Sequence, residues 1–168
     1  LNDTFIPLYR FYCNLKCNQF KYIMETKKIK APTWFVILSL LALFWNLMGI
    51  LAYFAHVLMT EEMKNALPPD QLEAMEAAPI WLIAAFSVAV WGGVIAAILM
   101  VLKRKSALFF FQISFAGIFL QQIHTFFFID AVSIFGIFQG LIMPAILMFI
   151  GAILILVNGH AVKEKWLR

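Results

Sequence analysis

Residues 31–60 read APTWFVILSLLALFWNLMGILAYFAHVLMT, thirty positions without one Asp, Glu, Lys or Arg. About 20 apolar residues in a helix cross the ~30 Å hydrocarbon core of a bilayer. The stretch is continuously apolar, so its period is not the alternation of a barrel strand. Inside lipid a lone segment must satisfy its own backbone, which only a helix does. One spanning helix over 33–59 follows.

Three more uncharged runs cover 77–102, 106–129 and 131–162, and the four together make 112 of the 168 residues. Each holds one crossing and is too short for two. The expected spans are 33–59, 80–102, 107–129 and 138–158. The composition agrees. The chain is 64% hydrophobic and 13% charged, with a mean hydropathy of +0.90. An ordinary soluble domain is about 45–50% apolar and about 25% charged. A water-soluble enzyme is excluded. The fold class is all-α, a four-helix transmembrane bundle.

The charges set the expected orientation. Lys27, Lys28 and Lys30 precede the first span, Lys103, Arg104 and Lys105 fill the second turn, and Lys163, Lys165 and Arg168 follow the fourth span. The 60–79 loop carries five acids against Lys64, a net −4. Basic loops stay cytoplasmic. Both termini are therefore expected in the cytoplasm, in a multi-pass protein of a bacterial cytoplasmic (inner) membrane. Trp34, Trp81 and Trp166 fall at the interfaces, where indoles prefer to sit. The net +4 is this bias. No basic patch interleaved with base-stacking aromatics occurs, so no nucleic-acid partner is expected.

Met24-Glu25-Thr26-Lys27-Lys28 has the look of a bacterial start, so residues 1–23 are expected to be an N-terminal extension from a mis-called start. The domain proper is then 24–168. Cys13 and Cys17 both lie in the extension. Their C-x-x-x-C spacing is not the redox C-x-x-C, and two ligands do not make a zinc site. No metal and no cofactor is expected.

Intramembrane polar groups are costly, so they are candidate sites. Asn46, Gly49, Tyr53 and His56 fall on one face of the first helix; Ser114, Gly117, Gln121 and His124 fall on one face of the third. Both sets share the offsets 0, 3, 7 and 10, and lie 68 residues apart, which hints at a parallel repeat. Asn46, Tyr53, Gln121, Gln122 and His124 are the candidate ligand-binding residues. Their donors and acceptors suit a small neutral polar solute such as a sugar. The alternative is interhelical hydrogen bonding without a ligand. Ala85, Ala89, Gly93 and Ala97 recur every four residues, a small-xxx-small face for close helix packing. Pro144 is expected to kink the fourth helix. In the outer loop Thr60 caps one short helix, and Asp70 with Glu73 reads as the capped start of another.

No carboxylate lies within a predicted span. The small multidrug-resistance exporters are also four-helix proteins but rely on an acidic residue in their first helix, so this chain is not one of them. No phosphate loop, nucleophile triad or H-E-x-x-H occurs, and no enzymatic activity is expected.

Ala31-Pro32-Thr33-Trp34-Phe35, then Trp45-Asn46-x-x-Gly49-x-x-Ala52-Tyr53, resembles the opening of a family of small bacterial four-helix membrane proteins carried under the name "sugar transporter". The likeness continues through Pro79-x-Trp81, Ala85-Phe86, Gly92-Gly93, Met143-Pro144 and Lys165-Trp166-Leu167, and covers 30–168. The resemblance implies sugar transport, with no site residues attached. Two functions follow as expectations. One is a carrier or binder of a small polar solute, working as a homodimer. The other is a non-catalytic membrane subunit or scaffold that holds a partner membrane protein.

Overall fold

The computed structural model describes residues 30–168. The expectations about residues 1–23, Met24, Cys13 and Cys17 lie outside the described residues. Ala31–Arg168 forms one compact unit, and all its regular elements are helical. They are α1 (Thr33–Val57), α2 (Glu61–Asn65), α3 (Pro69–Glu76), α4 (Ile80–Val101), α5 (Ser106–Phe127), α6 (Ala131–Ile137), a π-helical turn (Phe138–Ile142) and α7 (Met143–Lys163). Among the described residues four segments are long and apolar enough to cross a membrane: α1, α4, α5, and the run from Ala131 to Lys163. At 1.5 Å per residue, α1 is about 38 Å long, enough for the crossing.

The chain termini of these helices define two ends. The basic end holds the starts of α1 and α5 and the ends of α4 and α7. The acidic end holds α2, α3 and α6. Thr60 Oγ1 accepts from the Met63 N–H at 3.4 Å, as an N-cap does. On α2, Glu61 bonds the Lys64 ammonium at 2.8 Å. That hydrogen bond, with the carboxylate's charge, raises the Lys64 pKa above its ordinary value. The start of α3 differs from the expected Asp70 cap. Pro69 occupies the first helical turn and Asp70 follows inside it. Proline's fixed φ suits the first helical position, so the cap falls at Pro68 and the helix begins two residues earlier.

The fourth span also differs. Its break is at Gly136, with φ 78, ahead of Pro144. Pro144 lacks the N–H that would bond the Gly140 carbonyl. The helix widens to the π turn just before it. The start of α6 lies against this turn. A Cβ on Gly140 would fall on the Ala131 carbonyl. Thus α6 folds back against the base of α7.

In packing order α4 stands between α1 and α5, and α5 stands between α4 and α7. At the basic end the row closes. The rings of Trp34 and Trp166 meet edge to face at 5.5 Å, and Phe35 meets Trp166 at 5.7 Å. The core sits at this end, built on Phe35, Met100, Phe111, Leu154 and Leu167. In lipid this packing is dispersive, since hydrocarbon outside is as apolar as the side chains within.

Ala85, Ala89, Gly93 and Ala97 are all buried, and they serve two neighbours. Towards α5, a Cβ on Gly117 would lie 2.8 Å from the Ala85 oxygen and 2.9 Å from the Ala89 nitrogen. Ser114 Oγ donates to the Ala89 carbonyl at 2.6 Å. Towards α1, the Asn46 side-chain oxygen sits where a Gly93 Cβ would project. Gly93→Ala is therefore expected to cost about 1–3 kcal/mol by overpacking, read as a shift in an SDS-unfolding midpoint. Adding Asn46→Ala should recover part of the loss. An unchanged midpoint in the single variant would contradict the contact.

Candidate functional site

The two polar stripes end on one cavity. It has a volume of about 200 Å³ and lies at the acidic end. His56 comes from the last turn of α1, and Gln121, His124 and Thr125 come from the end of α5. Leu82 and Phe86, from the first half of α4, form an apolar wall. Met75 of α3 and Phe135 of α6 contribute from the connecting segments. Gln71 Nε2 donates to the Ile134 carbonyl at 3.1 Å, which ties those two helices into one roof.

His124 is the most constrained of the polar groups. It is 9% exposed. Its ring stacks on Phe128 at 5.6 Å, with 15° between planes, and meets the Trp81 ring edge-on at 5.6 Å. Nδ1 is buried without a hydrogen-bond partner. In the neutral imidazole one nitrogen donates and the other accepts. Orphaned buried N–H groups are rarer than under-used acceptors. His56 is exposed and meets Phe86 edge-on at 5.9 Å. Thr125 Oγ1 donates to the Gln121 carbonyl at 3.0 Å, so its oxygen keeps acceptor capacity. The Gln121 amide makes no hydrogen bond to another described side chain or carbonyl.

No carboxylate, ammonium or guanidinium lines the cavity. His56 and His124 sit at helix C-terminal ends, where the backbone dipole is negative, and Asp70, Glu73 and Glu76 lie on or beside the roof. An ion of either sign finds no counter-charge on the wall.

The other candidate residues lie elsewhere. Tyr53 is hydrogen-bonded to Ser87, with the oxygens 3.0 Å apart, and does not line the cavity. Asn46 donates to the Ala42 carbonyl at 2.7 Å. It lines a second cavity of about 40 Å³ with Ser114, Phe111 and Leu154. That space suits a water or two, since one water needs about 10–15 Å³ of such volume. Gln122 lines neither cavity, and its Oε1 is buried without a partner. The structure thus brings together Gln121 and His124, adds His56 and Thr125, and leaves Asn46, Tyr53 and Gln122 apart. His56 was legible from its stripe. The contributions of Met75 and Phe135 carry no sequence signal, because short loop helices give no indication of what they cover. Among the described residues no group of three or more His, Cys, Asp or Glu is placed to hold a metal.

Comparison with family models, curated proteins and solved structures returned no match.

Proposed function

We propose that this protein binds, and as a carrier moves, a small uncharged polar solute of the sugar or polyol class, through the cavity at its acidic end. One observation carries the reading. Four hydrogen-bonding side chains from two separate spans meet in a space with no charged wall. A volume of about 200 Å³ has room for several waters. It is below the ~300–1,000 Å³ of drug-sized sites, so the solute is small. The His124 ring and the Gln121 side-chain NH2 offer donors, Thr125 Oγ1 and the Gln121 side-chain oxygen offer acceptors, and Phe86 offers an apolar face for C–H groups.

The membrane is taken to be a bacterial cytoplasmic membrane, with both termini inside, because Lys30, Lys103, Arg104, Lys105, Lys163, Lys165 and Arg168 all lie at one end of the bundle. The site then faces outwards. A homodimer is the assembly proposed for transport, since four helices alone enclose little of a pathway. The resemblance to proteins named sugar transporters points the same way.

The alternative is a non-catalytic membrane subunit or scaffold. Asn46, Tyr53 and Ser114 favour it, since their polar groups are engaged within the bundle.

Uptake of labelled sugars and polyols into proteoliposomes containing the full chain tests the proposal. Saturable flux is expected. One neutral hydrogen bond contributes about 0.5–1.5 kcal/mol. Gln121→Ala/His124→Ala should therefore weaken half-saturation roughly ten- to a hundredfold, while Tyr53→Phe changes it less than about threefold. Absence of flux and of binding across the series would overturn the proposal in favour of the scaffold.

A further inference from the structure

At the basic end the backbone holds two arginines side by side. After α7 the chain turns at Lys165, with φ 58. The Trp166 N–H donates to the Ala161 carbonyl at 2.9 Å, and Leu167 is 1% exposed, locked in the core. The Arg168 N–H then donates to the Lys103 carbonyl at 2.7 Å, and the Arg168 carbonyl accepts from the Lys105 N–H at 2.8 Å. A residue bonded to both neighbours of another makes the pattern of a parallel ladder. Arg168 therefore stands opposite Arg104. Both side chains are exposed.

Like charges facing each other across such a pair are destabilising. Among the described residues neither guanidinium forms a salt bridge. Among the described residues the one ion pair is Lys64 with Glu61, at the other end of the molecule. Lys103, Lys105, Lys163 and Lys165 add charge of the same sign to the two segments, against Glu164 alone. The backbone pairing thus starts two exposed arginine side chains from neighbouring positions.

We propose that Arg104 and Arg168 together clamp the phosphate of an anionic phospholipid headgroup. The guanidinium fork matches phosphate oxygens two at a time. The source is a lipid because of depth. The pair lies just beyond the ends of α4 and α7 and just before the start of α5, and Trp34 and Trp166 pack edge to face beside it at 5.5 Å. Tryptophan marks the headgroup level. Basic groups between helix ends on the cytoplasmic side are suited to acidic headgroups. The clamp would couple the bilayer to the turn that joins α4 and α5.

Native mass spectrometry of the full chain, titrated with phosphatidylglycerol, phosphatidylcholine or inorganic phosphate, tests this. Phosphatidylglycerol is expected to bind on the order of tenfold more tightly than phosphatidylcholine, and millimolar phosphate should not displace it. Arg104→Gln/Arg168→Gln should weaken that binding about tenfold or more. Lys163→Gln/Lys165→Gln removes the same charge from the same end and should change it less than about threefold. Arg104→Lys/Arg168→Lys keeps the charge and loses the fork, so it should behave like the Gln pair. Circular dichroism reads the folding of each variant. Equal losses in the two Gln pairs would mean diffuse attraction and overturn the clamp. So would full binding by the Lys pair, or equal affinity for the two lipids. Displacement by phosphate would make it a soluble-anion site and overturn the lipid assignment.

Discussion

Gly117→Leu is expected to separate α4 from α5 and to cost at least about 3 kcal/mol, the upper part of the range for overpacking. The reason is what the side chain would meet. A Cβ there would lie 2.8 Å from the Ala85 carbonyl oxygen and 2.9 Å from the Ala89 nitrogen, with the Ala89 Cβ at 3.1 Å. Two of those atoms are backbone and cannot rotate away. The α4–α5 pair is the most extensively packed in the bundle, so the separation would be felt along its length. The Ser114 bond to the Ala89 carbonyl would break with it. So would the cavity, whose Phe86 and Leu82 wall faces Gln121 and His124 across the same pair. SDS-unfolding curves followed by tryptophan fluorescence would measure the loss. Gly49→Ala and Gly159→Ala are matched controls, because nothing lies within 4 Å of a Cβ at either position. They should be neutral, or stabilising by up to about 1 kcal/mol from helix propensity. A Gly117 variant as stable as those controls would refute the close approach.

Gly140→Ala is expected to swing α6 off the base of α7 while leaving the four spans folded. Its Cβ would fall on the Ala131 carbonyl, with the Val132 nitrogen 2.8 Å away. Both are backbone atoms of the segment that folds back. Displacing α6 withdraws Phe135 from the cavity and strains the Gln71–Ile134 bond that joins the roof. In a chain carrying Cys13→Ser and Cys17→Ser, a cysteine introduced by Phe135→Cys reports the change. Its reaction rate with a water-soluble maleimide should rise about tenfold or more when Gly140→Ala is added, the rate equivalent of about 1.4 kcal/mol of lost packing. Circular dichroism should be unaltered. An unchanged rate would show that α6 stays seated.

The spans were legible because their determinant is local. Hydropathy and the lack of charge fixed α1, α4 and α5 to within two residues at each end, since backbone in hydrocarbon must bond to itself along the chain. Residue 138, the expected start of the fourth span, is where the π turn begins. The expectation of a kink at Pro144 was near in sequence, but the sharpest departure is at Gly136, whose φ of 78 a bare composition reading does not favour over any other glycine. The small-residue face of α4 was legible as a face; which neighbour each member meets was not.

The candidate site was half legible, and the two stripes show why. Each reads polar, glycine, polar, histidine at the same offsets, so their local signals are equal. In the fold they diverge. Gly49 faces open space, whereas Gly117 takes the backbone of α4. Tyr53 meets Ser87, whereas Gln121 at the same offset opens to the cavity. The residues themselves determined four membrane-length helices, a basic and an acidic end, and two polar faces, because burial of backbone and charge is priced residue by residue. Tertiary structure alone decided which polar groups share a cavity, where α6 folds back, and that Arg168 lies opposite Arg104. Those outcomes depend on how closely two distant segments approach, and that distance is set by the smallest side chains between them.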